Sequence, residues 1–256
     1  MGFLTDLLDD LRRRLEAEPL DESGLLALAM HLPPPRPFED ALRAAPQALI
    51  AEYKRSSPSA GAIAEPDVAS QARAYTEGGA AAISVLTEPT RFDGALADLR
   101  AVRLASNLPL LRKDFLVHPA QVIESRAAGG DAVLLIAAAL SELELKGMLA
   151  VAADLGLDAL VETHSQEDLA KAVATDATVI GVNARDLETL EVDVERALAM
   201  LPDVPSDRVA VLESGVSTRE DVERAVEAGA AAVLVGEALM RSPDPGATIR
   251  SLRGAS

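Results

Sequence analysis

Gly129-Gly130-Asp131-Ala132-Val133-Leu134-Leu135-Ile136 runs from two glycines and an acid straight into a short, wholly apolar stretch. The same design recurs at Gly78-Gly79-Ala80-Ala81-Ala82-Ile83 and at Gly229-Ala230-Ala231-Ala232-Val233, with Leu155-Gly156-Leu157-Asp158-Ala159-Leu160 as a looser copy. A glycine here ends a helix in left-handed backbone, and the small residues behind it let a strand enter close to its neighbours. Eight such apolar runs follow one another, at 48–53, 81–86, 108–111, 132–136, 159–161, 179–182, 209–212 and 232–235. They are apolar on both sides, as in a parallel sheet covered by helices. The helical stretches between them begin near Pro66, Gly94, Pro119, Ser141, Ser165, Val192, Thr218 and Pro245. Ser141, Ser165 and Thr218 are expected N-caps, and Pro66 and Pro119 expected first-turn residues. Eight strand–helix units in this length predict an α/β fold, a closed (β/α)8 TIM barrel formed as a single domain by residues 48–256. An open doubly wound sheet is the alternative, but no Gly-x-Gly-x-x-Gly opens a helix after the first run.

Residues 1–47 fall outside the repeat and read as an N-terminal helical extension packed on the barrel. Phe3, Leu4, Leu7, Leu8, Leu11 and Leu15 make residues 1–18 amphipathic. Acids among its bases and the lack of a small-residue cleavage site set it apart from a signal peptide, so a cytoplasmic protein is expected. Leu32-Pro33-Pro34-Pro35-Arg36-Pro37 is a stiff connector, and residues 38–44 form a short helix leading into the first strand. Two readings of the extension stay open: a stabilising cover, or a shield over substrate.

Composition narrows the partners. Aromatics are 2% of the chain against 49% hydrophobic residues, so the core is aliphatic and offers few stacking platforms for bases. A net charge of -17 disfavours nucleic acid and anionic membranes as partners. A phosphorylated small molecule then needs a local positive site. Lysine is scarce, at Lys54, Lys113, Lys146 and Lys171 only. The absence of cysteine excludes disulfides, zinc–thiolate sites and thiol nucleophiles. His31, His118 and His164 show no metal-ligand spacing, and His164 reads as a loop residue.

Barrel chemistry gathers at the C-terminal ends of the strands. The first run ends Glu52-Tyr53-Lys54, where alternation points Glu52 and Lys54 the same way. The third ends Arg112-Lys113-Asp114, bringing one of the two cations to the rim, and the fifth ends Glu162-Thr163-His164. The sixth ends Asn183-Ala184-Arg185, the seventh Glu213-Ser214-Gly215 and the eighth Gly236-Glu237. So many ionisable groups converging on one rim point to function rather than structure. Glycines after the last two runs suit backbone N–H capture of phosphate, with Lys54 and Ser57 closing that site from the first run.

Leu49-Ile50-Ala51-Glu52-Tyr53-Lys54-Arg55-Ser56-Ser57-Pro58-Ser59 resembles the first-strand signature of the indole-3-glycerol-phosphate synthases. So do Ser84-Val85-Leu86-Thr87-Glu88, Leu111-Arg112-Lys113-Asp114-Phe115, Leu160-Val161-Glu162, Gly181-Val182-Asn183-Ala184-Arg185-Asp186-Leu187, Glu213-Ser214-Gly215 and Leu234-Val235-Gly236-Glu237. The resemblance implies conversion of 1-(2-carboxyphenylamino)-1-deoxyribulose 5-phosphate to indole-3-glycerol phosphate in tryptophan biosynthesis, with loss of carbon dioxide and water. No cofactor and no metal are implied, and family members are often monomers. By resemblance Lys113 is the general acid for ring closure. Glu162 and Glu52 are acid/base carboxylates, and Lys54 holds the substrate carboxylate. Asn183, Arg185, Glu213 and Ser214 shape the anthranilate side. Phe92, Phe115, Leu134, Leu187 and Leu234 form its apolar walls, and Ser57, Gly215, Gly236 and Glu237 match the phosphate site. Ala184 departs from the asparagine that many members carry, and Arg91 from a common aromatic. A sister barrel, such as a phosphoribosylanthranilate isomerase or a Schiff-base aldolase, and an inactive phosphate-binding barrel are the competing readings.

Overall fold

Eight parallel strands close on one another in the ring order first, eighth, seventh, sixth, fifth, fourth, third, second. They are Ala48–Tyr53, Ala82–Leu86, Leu110–Lys113, Ala132–Ile136, Asp158–Thr163, Val179–Asn183, Val209–Glu213 and Ala232–Val235. The structure is a computed structural model that describes residues 2–45 and 47–254. The expected barrel is therefore present. Register fixes which side chains share its interior: Glu52 lies level with Ser84, Ser84 with Leu111, Ile136 with Glu162, and Asn183 with Glu213. Gly79, Gly129, Gly156 and Gly229, which precede the second, fourth, fifth and eighth strands, all have positive φ, as the repeated turns require.

Between the strands lie α4 (Val68–Glu77), α5 (Leu96–Ala105), α6 (Pro119–Ala127), α7 (Glu142–Asp154), α8 (Gln166–Val173), α9 (Val194–Met200) and α10 (Arg219–Glu227). Ser141, Ser165 and Thr218 are N-caps as expected, the first and last within capping boxes closed by Glu144 and Asp221. Three starts differ from the sequence reading. Asp67 caps α4, so Pro66 stands outside its first turn; α5 begins at Leu96 and α9 at Val194 behind Asp193. In α4 and α9 an acid able to bond a free N–H sets the boundary more firmly than a nearby proline or valine. A short hairpin, Ser56–Ser57 with Gly61–Ala62, follows the first strand, and α11 (Glu237–Met240) precedes the last helix, α12 (Pro245–Arg253). The hairpin and α11 were not legible as periodicity, being too short to show any.

The extension holds both ends of the barrel. At the mouth, α1 (Phe3–Ala17) buries Leu4, Leu7 and Leu8. Its Phe3 ring meets Phe92 edge-on at 6.5 Å, and Thr5 donates to Glu188 at 2.9 Å. A second helix, α2 (Glu22–Met30), packs along α6. It escaped the sequence reading because Leu25-Leu26-Ala27-Leu28-Ala29-Met30 is apolar all round and carries no face. The proline connector then leads to α3 (Phe38–Ala44) at the opposite end, against the first, second and seventh strands. Phe38 is fully buried there, a contribution of roughly 1.5–3 kcal/mol. No helix among the described residues is long and apolar enough to cross a membrane.

Candidate active site

A cavity of about 430 Å³ opens at the C-terminal ends of the strands. Its floor is built by inward-facing residues of consecutive strands: Glu52, Lys113, Leu134, Glu162, Asn183, Glu213 and Leu234. The centre is Lys113. Its Nζ donates to Glu162 Oε2 at 2.8 Å and lies 3.5 Å from Glu213 Oε2. Burial alone would push this ammonium down, but Glu162, Glu213 and Glu52 together hold it well above the ordinary lysine value. Beside it, Lys54 Nζ meets Glu52 Oε1 at 2.8 Å, confirming that these two alternate residues share one side of the first strand.

The two acids facing Lys113 are not equivalent. Burial works against charge on both. At Glu162 the Lys113 ammonium and His164 overcome it and hold the carboxyl well below the usual range, so it is ionised. At Glu213 burial and the neighbouring Glu162 charge act together and push the carboxyl well above that range. Among the described residues no N–H or hydroxyl donates to either Glu213 oxygen, and the acceptor open to a protonated Glu213 is the Glu162 carboxylate beside it. The pair therefore divides into one carboxylate and one carboxylic acid across a single ammonium.

Two glycines make this crowding possible. A Cβ on Gly181 would stand 2.1 Å from Glu213 Oε1, and one on Gly236 would stand 2.4 Å from Glu52 Oε1. Each glutamate thus leans across a neighbouring strand that has no side chain to stop it. Beyond them the backbone turns sharply at Ser214 (φ 66°) and Gly215 (φ 77°). A left-handed serine is strained, and strain of this sort is kept where it positions something.

The remaining lining sorts by chemistry. Phe92, Phe115, Leu134, Leu187 and Leu234 give an apolar wall, with Phe92 and Phe115 at 6.1 Å between centroids. Ser214, Gly215, Gly236 and Glu237 border the side nearest the last two strands. Asn183 accepts from the Arg185 backbone, and the Arg185 guanidinium donates to Leu190, bracing its own loop. Of the residues singled out in the sequence only Ser57 fails to line the cavity. It is drawn into the hairpin, where its Oγ accepts from Ala60 at 3.2 Å.

Other placements go beyond what the residues were singled out for in the sequence. Lys113, not Arg112, reaches the mouth. Arg112 points outward and is clasped by Asp114 and Glu124, each at 2.9 Å. Leu86, Asp114, Ile136, Val192, Val216, Ser217, Ala238 and Arg241 also line the cavity. Leu86 and Ile136 follow from strand alternation, whereas Arg241 arrives through the unforeseen α11, where it pairs with Glu237 at 2.9 Å. His164 is not a solvated loop residue. Its side chain is 9% exposed, with Nε2 3.1 Å from Glu162 Oε1. Alternation from Glu162 was the available signal. Among the described residues, no cluster of three acid or histidine side chains is arranged to hold a metal.

Known proteins match both the chain and the fold. The indole-3-glycerol phosphate synthase family matches residues 4–252. An indole-3-glycerol phosphate synthase of Nocardioides sp. is 50% identical over 259 residues, covering 99% of each chain. One from Micrococcus luteus is 47% identical over 264 residues, covering 100% of this chain and 98% of that one. Among solved structures, a 3-hexulose-6-phosphate synthase matches with a TM-score of 0.64 at 17% identity, over 81% of this chain and 99% of the other. A thiamine phosphate pyrophosphorylase from Pyrococcus furiosus matches with a TM-score of 0.62 at 16% identity, over 85% and 96%, and like the former speaks for the barrel alone. With a cluster of buried acids around one lysine at the barrel mouth, and near-complete coverage at about half identity, this chain belongs to the indole-3-glycerol phosphate synthase family.

Proposed function

We propose that this cavity closes the indole ring of indole-3-glycerol phosphate, with Lys113 as the acid that makes closure possible. The substrate is 1-(2-carboxyphenylamino)-1-deoxyribulose 5-phosphate. The aryl carbon bearing the carboxylate attacks the ribulose ketone, and its oxygen must gain a proton as the new carbon–carbon bond forms. A lysine held charged in a buried setting is such a donor. Carbon dioxide then leaves, and its bonding electrons restore the aromatic ring. The apolar wall from Phe92 to Leu234 favours that loss, because it solvates the departing carboxylate poorly. Finally the new hydroxyl takes a second proton and departs as water while a base removes a proton from the adjacent carbon. Ionised Glu162 supplies a base, protonated Glu213 an acid, and the Lys54–Glu52 pair a second donor and acceptor.

The phosphate sits best against Ser214, Gly215, Gly236 and Glu237, where backbone N–H groups supply donors that the overall negative charge does not. Lys54 reaches the substrate carboxylate from the first strand. The observation that carries the reading is the buried Lys113 ammonium at the barrel mouth, 2.8 Å from Glu162 and 3.5 Å from Glu213. Mixing the protein with the substrate is expected to give rising indole fluorescence with carbon dioxide released in step. No fluorescence, or fluorescence without gas release, overturns the assignment.

A further inference from the structure

His164 stands behind the reacting groups. It follows Glu162 by two residues, one position past the end of the fifth strand, and the strand's alternation carries over so that both side chains meet. Glu162 is held from two directions: Lys113 takes Oε2 at 2.8 Å, and the His164 ring stands 3.1 Å from Oε1. Both ring nitrogens are buried, and among the described residues neither makes an aligned hydrogen bond. Nε2 is therefore close to Oε1, but a proton carried on it would be tilted from that oxygen. The imidazole torsion is broad, so a small rotation completes the bond at little cost. His164 itself is anchored through its backbone, with its N–H donating to Asp168 at 3.2 Å and its carbonyl accepting from Arg196. Asp186 is a further charged group near it. The backbone is held while both ring nitrogens lack a partner among the described residues, and one of them, Nε2, faces a carboxylate.

We infer that His164 is a positioning residue: through Nε2–H it holds Oε1 of Glu162, so that Oε2 is the oxygen presented to Lys113 and to substrate. This rests on Glu162 being the base of the proposed reaction. Free rotation of the carboxylate would turn it away from the Lys113 contact, and small displacements of a catalytic group cost much turnover.

His164→Leu removes the donor at similar size, whereas His164→Gln returns an N–H near the position of Nε2. The leucine variant is expected to lower kcat about 10- to 100-fold at nearly unchanged KM, and the glutamine variant to recover most of that loss. In a Glu162→Gln background, His164→Leu is expected to change nothing further. Long-range ¹⁵N–¹H spectra of the wild-type protein are expected to find hydrogen on Nε2. Unchanged kcat in His164→Leu, equal losses in both His164 variants, or an Nε2 without hydrogen each overturn the inference. If Glu162→Gln itself retains turnover, the assignment of the base fails instead, and the two failures are distinguishable.

Discussion

The barrel buries acids at both ends and treats them in opposite ways. At the closed end Asp131 accepts from the backbone of Arg36 at 2.7 Å and of Leu110 at 2.8 Å, and from the Arg103 guanidinium. Asp158 accepts from Phe38 and Glu39 at 2.8 and 2.9 Å, tying the extension to the fifth strand. At the open end Glu213 has no hydrogen bond among the described residues and shares one ammonium with Glu162. Satisfied charge at the closed end serves stability. A polar group left unsatisfied at the mouth is held ready for a substrate, and such exceptions to complete pairing are where function is found.

The contrast predicts a separation of effects. Lys113→Ala is expected to reduce kcat about a thousandfold or more while the circular dichroism spectrum keeps its native form. Turnover near that of the wild type would remove the distinction between the two ends. Asp131→Ala is expected to do the reverse, lowering unfolding free energy by about 3 kcal/mol, since Arg103 and two backbone donors lose their acceptor. Its kcat, measured well below the melting temperature, should stay within about twofold of the wild type, because an ion pair broken at the closed end shares no partner with the groups at the mouth.

Glu213→Gln sharpens the point through pH. The folded Glu213 carboxyl titrates above its unfolded value. Below the unfolded value both states are protonated, and the neutral acid's fit is fully present. As pH rises from there through the folded value, the unfolded chain gains by ionising and the wild type loses stability that the glutamine variant keeps. Urea unfolding at pH 4 and pH 8 should therefore find the wild type falling relative to Glu213→Gln at the higher pH. A gap that moves the other way would mean Glu213 is ionised in the fold. The smallest effect is expected at the cover. Phe3→Ala removes one edge-on aromatic contact to Phe92, worth about 1 kcal/mol. KM should rise a few-fold with kcat unchanged, and no change in KM would make α1 a stabilising cover only.

How far the sequence could be read depended on the range of the interaction involved. The barrel was legible because its signals are local: glycine turns, apolar runs and capping residues act within a few positions. Alternation paired Glu52 with Lys54 and would have paired Glu162 with His164. By contrast α11 and the hairpin around Ser57 lie below the length at which periodicity speaks, α2 is apolar all round and shows no face, and Ser57 stands in its hairpin outside the cavity lining.

The sequence alone determined the eight strand–helix units, the family and the identity of most groups at the mouth, because backbone preference and alternation are properties of neighbouring residues. Only the tertiary structure decided that Arg112 is clasped by Asp114 and Glu124, that Glu213 leans over Gly181 and Glu52 over Gly236, and that the surroundings push the Glu162 and Glu213 carboxyls in opposite directions. The reason is that electrostatic energy and steric room depend on distance in space, and closure of the barrel sets those distances between residues far apart in the chain.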